Sequence, residues 1–183
     1  SHKGNAMKWM ASLIGLALSC GAATAADWVH VGGDAGGAKY SPLDEIDRTN
    51  VGDLDIAWTY RHGDFAAHPE QRRFAGFHVT PILLPAEAGG HLMLCTPLNR
   101  LVALDPATGT ERWSFDPKLE FADHPARLKC LGVAYWRDPL ALSDAPCAHR
   151  IFSGTGDRRV IAVDARDGRP CTDFGVNGQV DVN

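Results

Sequence analysis

The stretch Ala103-Leu104-Asp105-Pro106-Ala107-Thr108-Gly109-Thr110-Glu111-Arg112-Trp113 decides the fold. Arg100 to Leu104 is apolar on both faces, Leu101 and Ala103 against Val102 and Leu104, which is the pattern of a buried strand. Asp105 to Gly109 is a turn, because the Asp and Thr side chains can bond nearby amides and Gly109 can take a positive φ. Glu111 to Asp116 then alternates, with Trp113 and Phe115 facing one way and Arg112, Ser114 and Asp116 the other.

The unit recurs. A shift of 59 positions lays Ala162-Val163-Asp164-Ala165-Arg166-Asp167-Gly168 on Ala103 to Gly109, and the Ala, the Asp and the Gly coincide. The same shift puts Thr172 where Trp113 stood, so the second copy reads as degenerate there. Short strands around a fixed turn, repeated at this distance, predict propeller blades or another repeated β array. The plainer alternative is two unrelated hairpins that share a common turn.

Composition sets the outer limits. The chain has 183 residues, 45% of them hydrophobic, and a formal net charge of −4, so it can bury a core and carries no basic footprint for nucleic acid. Its 11 Pro and 19 Gly, spread along the chain, favour many short elements over long helices. Met7 to Ala25 has Lys8, an apolar run from Trp9 to Leu18 and an Ala23-Thr24-Ala25 cleavage pattern, so residues 1–25 read as a short remnant plus a secretory signal peptide. The domain is then 26–183 and the expected compartment is the periplasm. Acylation at Cys20 is an alternative, with a poor match in Ala17-Leu18-Ser19. Export leaves Cys95, Cys130, Cys147 and Cys171, an even number for an oxidising compartment. They allow three pairings, which the sequence leaves open. At least one disulfide is expected, and Cys147 with Cys171 is the pair put forward.

Along the mature chain, Asp27 to Asp53 reads as a Gly-rich ordered loop without the spacing of a phosphate or dinucleotide site. Asp55 to Arg61 reads as a strand with Ile56, Trp58 and Tyr60 on one face. His62 to Gly76 and Pro117 to Lys129 read as long loops. Phe77 to Leu84 and His91 to Thr96 read as a strand pair, and Gly132 to Trp136, Ile151 to Gly154 and Val160 to Val163 as further short strands.

Several of these stretches together resemble a known family. Trp28-Val-His-Val-Gly-Gly-Asp34, Lys39-Tyr-Ser-Pro-Leu-Asp-Glu-Ile46, Asn50-Val-Gly-Asp-Leu54 and Ala57-Trp58-Thr-Tyr60 are similar to the amino-terminal end of a quinoprotein dehydrogenase. So are Cys95-Thr-Pro-Leu-Asn-Arg100 and Cys130-Leu-Gly-Val-Ala-Tyr-Trp136. The group is the pyrroloquinoline quinone (PQQ)-dependent glucose/quinate/shikimate type, and the resemblance covers essentially all of the mature chain. It implies an all-β fold, roughly two blades of an eight-bladed propeller tied by a tryptophan-docking motif, with Trp58 and Trp113 as structural docking residues. It implies PQQ and Ca²⁺ as cofactors, a small alcohol or sugar as substrate, and a quinone or cytochrome as electron acceptor. The catalytic base, the calcium ligands and the aromatic floor under the cofactor come from later blades in the family, which this resemblance places beyond Asn183.

Two cofactor-facing slots depart from the family pattern. Where a Glu is usual, Phe77-His78-Val79-Thr80-Pro81 has His78, and where Cys-Arg-Gly-Val is usual, Cys130 is followed by Leu131. A Leu supplies neither a hydrogen bond nor a charge. His78 can bond a carboxylate if protonated, and Lys129 can replace the lost charge; the plainer readings are a core or loop histidine and a solvated lysine. Trp136 stands where glucose-type members carry a His, and plain core packing is its alternative. His78, Lys129 and Trp136 are therefore the cofactor-binding candidates, and no catalytic base is assigned. Competing readings are a non-catalytic propeller scaffold of the outer-membrane assembly type and an inactive truncated product, the latter prompted by Leu131 and Thr172.

Overall fold

The computed structural model describes residues 28–120 and 128–182; the signal-peptide reading, Cys20 and part of the second long loop lie outside them. Among the described residues the architecture is two four-stranded antiparallel sheets. The first is a meander of β1 (Ile82–Leu83), β2 (Leu92–Cys95), β3 (Leu101–Leu104) and β4 (Glu111–Phe115). The second repeats it with β5 (Ala134–Arg137), β6 (His149–Gly154), β7 (Arg159–Asp164) and β8 (Gln179–Asp181). This is the all-β blade architecture that the repeat predicts.

The sequence pattern explains where the core lies. β3 is buried on both faces, so the first sheet is covered on each side. One face sends Ile82, Met93, Leu101 and Ala103 into a common core with Ile151, Ile161 and Val163 of the second sheet. The other face sends Leu94, Val102 and Leu104 against Trp58 and Tyr60. β4 alternates as read, Ala103 opposite Trp113 and Leu101 opposite Phe115.

The repeat is visible in the hydrogen bonds. The Gly109 amide donates to the Asp105 carbonyl at 2.8 Å, and the Gly168 amide to the Asp164 carbonyl at 2.9 Å. At the other end of each hairpin, the Arg100 amide donates to Thr96 Oγ1 and the Arg159 amide to Thr155 Oγ1, both at 3.1 Å. The equivalence ends after the turn. Thr172 lies in a turn rather than a strand, because a turn region anchored at Cys171 intervenes before β8. Its place on Trp113 in the simple shift is thus an artefact of that insertion, and Ala162, the counterpart of Ala103, bonds to Gly178 instead.

Each docking tryptophan rests on the turn of the next unit. A Cβ added to Gly109 would lie 2.5 Å from the Trp58 ring, and one added to Gly168 would lie 2.4 Å from the Trp113 ring. Both glycines have positive φ, 69° and 75°. Both indoles are half-buried. Trp58 Nε1 also donates to the Pro106 carbonyl at 3.1 Å.

Three local expectations are corrected. Asp55 to Arg61 forms no ladder among the described residues, since alternation can shape a strand but pairing needs a neighbour. Phe77 to Leu84 contributes only β1, because the Thr80 amide is spent on the Leu131 carbonyl and Pro81 has no amide to give. The loop from His62 to Gly76 contains α1 (Asp64–Ala67) and a 3₁₀ turn at Pro69–Gln71.

Both disulfides form, Cys95–Cys130 and Cys147–Cys171. The first ties β2 to the loop entering the second sheet. Peptide mapping without reductant should recover these two linked pairs and no others. Replacing Cys147 and Cys171 together by Ser should cost about 2–4 kcal/mol in urea unfolding. Gly168→Ala should cost more than about 1 kcal/mol, since it meets both the Trp113 ring and a positive φ. Gly52→Ala, with nothing within 4 Å of the new methyl, should change stability by less than about 0.5 kcal/mol.

Candidate cofactor slot

The turns Thr96 to Arg100 and Thr155 to Arg159 join strands at the same end of the two sheets, and Asn99 Oδ1 accepts from the Gly156 amide at 2.9 Å between them. Each turn ends in an arginine that pins an incoming loop. Arg100 donates to the His62 carbonyl and lies 3.7 Å from the Asp64 carboxylate. Arg159 donates to the carbonyls of Pro117 and Lys118 at 2.9 and 3.3 Å. Sequence reading did not single out these clamps. Their signal is the repeated spacing of Thr96 with Arg100 and Thr155 with Arg159.

The pinned loops bring the two expected slots together. The Gly76 amide donates to the Leu128 carbonyl at 3.1 Å, and the Thr80 amide to the Leu131 carbonyl at 3.2 Å. His78 therefore sits on a segment held beside Lys129 to Leu131. Leu128 and Cys130 are buried while Lys129 and Leu131 are exposed, Leu131 by 65%. Alternation along an extended chain puts Lys129 and Leu131 on the same outward side. His78 is exposed, with its imidazole folded back over Gly76, where an added Cβ would lie 2.6 Å from Nε2.

Trp136 is placed differently. It pairs with Arg150 in the β5–β6 ladder, away from the slot end, and is 42% exposed. The Arg150 guanidinium lies 5.6 Å from its ring centre and Phe152 packs edge-on at 6.5 Å. Arg150 is also paired with Asp173 at 2.5 Å.

The other titratable groups are committed to structure. Asp157 accepts from Thr155, from Arg159 and from the Glu120 amide. Burial pushes its carboxyl up, but the bonds from Arg159 and Thr155 outweigh that and hold it below the usual carboxylate range. Its oxygens are committed to holding the loop that carries Thr155 and Arg159. At the far end, the fully buried His149 lies between Tyr135 Oη at 2.7 Å and Ser143 Oγ at 3.3 Å. Burial pushes its imidazole down, so the neutral ring acts as a packed bridge. A cleft of about 520 Å³ beside α1 is lined by His62, Asp64, His68, Arg100, Asp116 and Lys118. Arg100 lies beside Asp64, and Lys118 pairs with Asp116 at 2.7 Å, so those charges are met within the cleft.

Among the described residues the one grouping with metal-ligand geometry is Cys147, Cys171 and Asp173, and both its sulfurs are in a disulfide. The described residues therefore do not fit a calcium cage.

Comparison with known proteins gives the slot its context. Residues 28–183 match the family model described as PQQ glucose/ethanol/alcohol dehydrogenase, beta-propeller domain. The chain is 38% identical over 167 residues to quinoprotein glucose dehydrogenase A of Acinetobacter calcoaceticus, covering 85% of this chain and 20% of that protein. It is 35% identical to the quinate/shikimate dehydrogenase (quinone) of Acinetobacter baylyi, covering 86% and 20%. Among solved structures, a quinohemoprotein alcohol dehydrogenase from Pseudomonas putida superposes with a TM-score of 0.62 at 26% identity, covering 86% of this chain and 20% of that one. The chain thus spans about one fifth of the length of these relatives. With the blade repeat, the docked tryptophans and a family match over nearly all the described residues, the chain belongs to the PQQ-dependent glucose/ethanol/alcohol dehydrogenase β-propeller family.

Proposed function

We propose that the chain is the amino-terminal part of the propeller of a periplasmic PQQ-dependent dehydrogenase. Its substrate class is an alcohol, polyol, sugar or cyclitol, and its electrons pass to a quinone or a cytochrome. The observation that supports this reading is the paired bonding of Gly76 to Leu128 and Thr80 to Leu131, which holds the segment carrying His78 beside the segment Leu128 to Leu131 at the loop end of two docked blades. The named relatives, which are dehydrogenases, support it over a scaffold role.

When bound, PQQ supplies the quinone carbon that accepts a hydride from the substrate's carbinol carbon. The chain's own part is to hold the cofactor's edge. Lys129 offers a point charge on a flexible stem, one alternation along from the position where the family resemblance places an arginine. It meets an anionic group without the rigid two-donor fork of a guanidinium. His78 offers a ring N–H on the facing segment. The Trp136 contacts with Arg150 and Phe152 support packing as its role, rather than contact with the cofactor. Calcium ligands and the base that takes the hydroxyl proton belong, in this reading, to further blades.

Two measurements test it. In a version of the protein that carries the further blades, Leu131→Arg should tighten PQQ binding by roughly one to two decades, the equivalent of about 1.5–3 kcal/mol for a charge-assisted pair. An unchanged affinity would mean that Lys129 or another group already fills the role. Residues 26–183 alone, given PQQ and Ca²⁺, should reduce a dye acceptor with glucose, quinate or simple alcohols no faster than the free cofactor does. Turnover clearly above that level would require a catalytic group within this chain.

A further inference from the structure

Cys147 and Cys171 are held in place by bonds that do not involve their sulfurs. The Cys147 amide donates to Asp164 Oδ2 at 2.7 Å, and the Cys147 carbonyl accepts from Arg150 Nε at 2.8 Å. The Cys171 amide donates to the Ala162 carbonyl at 2.9 Å. The Cys171 carbonyl accepts from the Phe174 amide, also at 2.9 Å, which closes a turn that carries Asp173. The side-chain ligand atoms of Cys147, Cys171 and Asp173 all lie within 4.8 Å of one another. Arg150, its side chain 11% exposed, donates to Asp173 Oδ2 and so orients a carboxylate that is itself 61% exposed. That bond uses one carboxylate oxygen and leaves the other for a cation.

Joined in their disulfide, the two sulfurs are not thiolates and do not ligate. A dithiol reductant changes that. It passes two electrons and two protons to the Sγ–Sγ bond and becomes a disulfide itself, leaving Cys147 and Cys171 as thiols. Because the backbone at both cysteines is pinned independently, the pair stays within reach of Asp173 after the bond breaks. Two thiolates and a carboxylate suit a borderline divalent ion, zinc before all, rather than calcium or magnesium. Tetrahedral neighbours around zinc, at bonds of about 2.0–2.3 Å, stand about 3.3–3.8 Å apart, inside the spread of these atoms. The charges also close, since the two thiolates and Asp173 exceed Arg150 by the two negative charges that zinc meets.

We propose that Cys147, Cys171 and Asp173 form a zinc site that is created when their disulfide is reduced, with Arg150 as the residue that positions the carboxylate. Zinc entry displaces the two thiol protons, so binding strengthens as pH rises. The exposure of Asp173 gives the ion its way in and leaves the fourth position to water. Cys95 and Cys130 offer no equivalent, since no third ligand groups with them among the described residues. The oxidised and the zinc-bound forms are alternative clasps on the same two segments, one covalent and one metal-dependent.

The test uses the full chain with Cys20→Ser, so that this further thiol does not contribute. The chain is reduced with a small dithiol, separated from it without oxygen, and titrated with Zn²⁺ against a chromophoric chelator. Cd²⁺ in place of Zn²⁺ then reports sulfur ligation through its ultraviolet thiolate charge-transfer band. The reduced chain should bind one Zn²⁺ at least about 100-fold more tightly than the oxidised chain. Asp173→Asn, which keeps both sulfurs, should weaken binding by about tenfold or more and leave the cadmium–thiolate band in place. Replacing Cys147 and Cys171 together by Ser should remove the band and lower binding to the level of the oxidised chain. Equal binding by the reduced and oxidised chains, or an unchanged affinity in Asp173→Asn, would overturn the proposal. So would a band that survives the loss of Cys147 and Cys171, by assigning the ligands to Cys95 and Cys130.

Discussion

The contact on which everything else depends is an indole resting on a glycine of the next unit's turn. Each sheet is a short meander that would leave apolar surface open if it stood alone. The Trp58–Gly109 and Trp113–Gly168 contacts set how closely consecutive units approach, and neither turn has room for a Cβ. The two docks are not equal. Trp58 Nε1 has the Pro106 carbonyl as acceptor, whereas the buried Trp113 Nε1 has no hydrogen-bond partner. A buried donor left unmet costs about 1–3 kcal/mol, so the second dock depends on packing alone and pays a penalty that the first avoids. His91 lies near it: its ring stands edge-on to Trp113 at 6.4 Å and its Nε2 is 3.3 Å from the Arg166 carbonyl in the same turn.

Once the blades are fixed, the loop end can be built with few parts. Arg100 and Arg159 use guanidinium donors on loop carbonyls, and the Cys95–Cys130 bridge joins the first blade to the loop entering the second. Exposed loops held on a rigid sheet are a common way to position binding groups. The cost is that polar groups near the slot are used up. Asp157 is the clearest case, since its oxygens accept from Thr155, Arg159 and the Glu120 amide.

The fold was legible where pairing is local. The two strands of the Leu101 to Phe115 hairpin are adjacent in sequence and joined by a turn with a recognisable glycine, so alternation and turn chemistry suffice. Reading failed where pairing is decided at a distance. Residues 77–81 look strand-like, yet the Thr80 amide goes to Leu131, far along the chain. Residues 55–61 alternate well, yet alternation does not say whether a neighbour exists. Thr172 was misplaced because a fixed shift cannot see an insertion, and only the β7–β8 register reveals it.

The slot was legible in outline, for a related reason. Sequence identified which positions depart from the family pattern, because His78 and Leu131 sit within recognisable motifs. It could not say which of them share a side. The buried Cys130 settles that, since its disulfide to Cys95 turns it inward and leaves Lys129 and Leu131 outward together. Trp136 is separated from them by strand direction: β5 leaves the slot end, and by Trp136 it has reached Arg150 on the neighbouring strand. Three residues that lie close in one motif thus divide between two environments. The Cys95–Cys130 bridge fixes one of them and the β5–β6 ladder the other, so the outward placement of Lys129 and Leu131 and the aromatic packing at Trp136 respond to different parts of the fold.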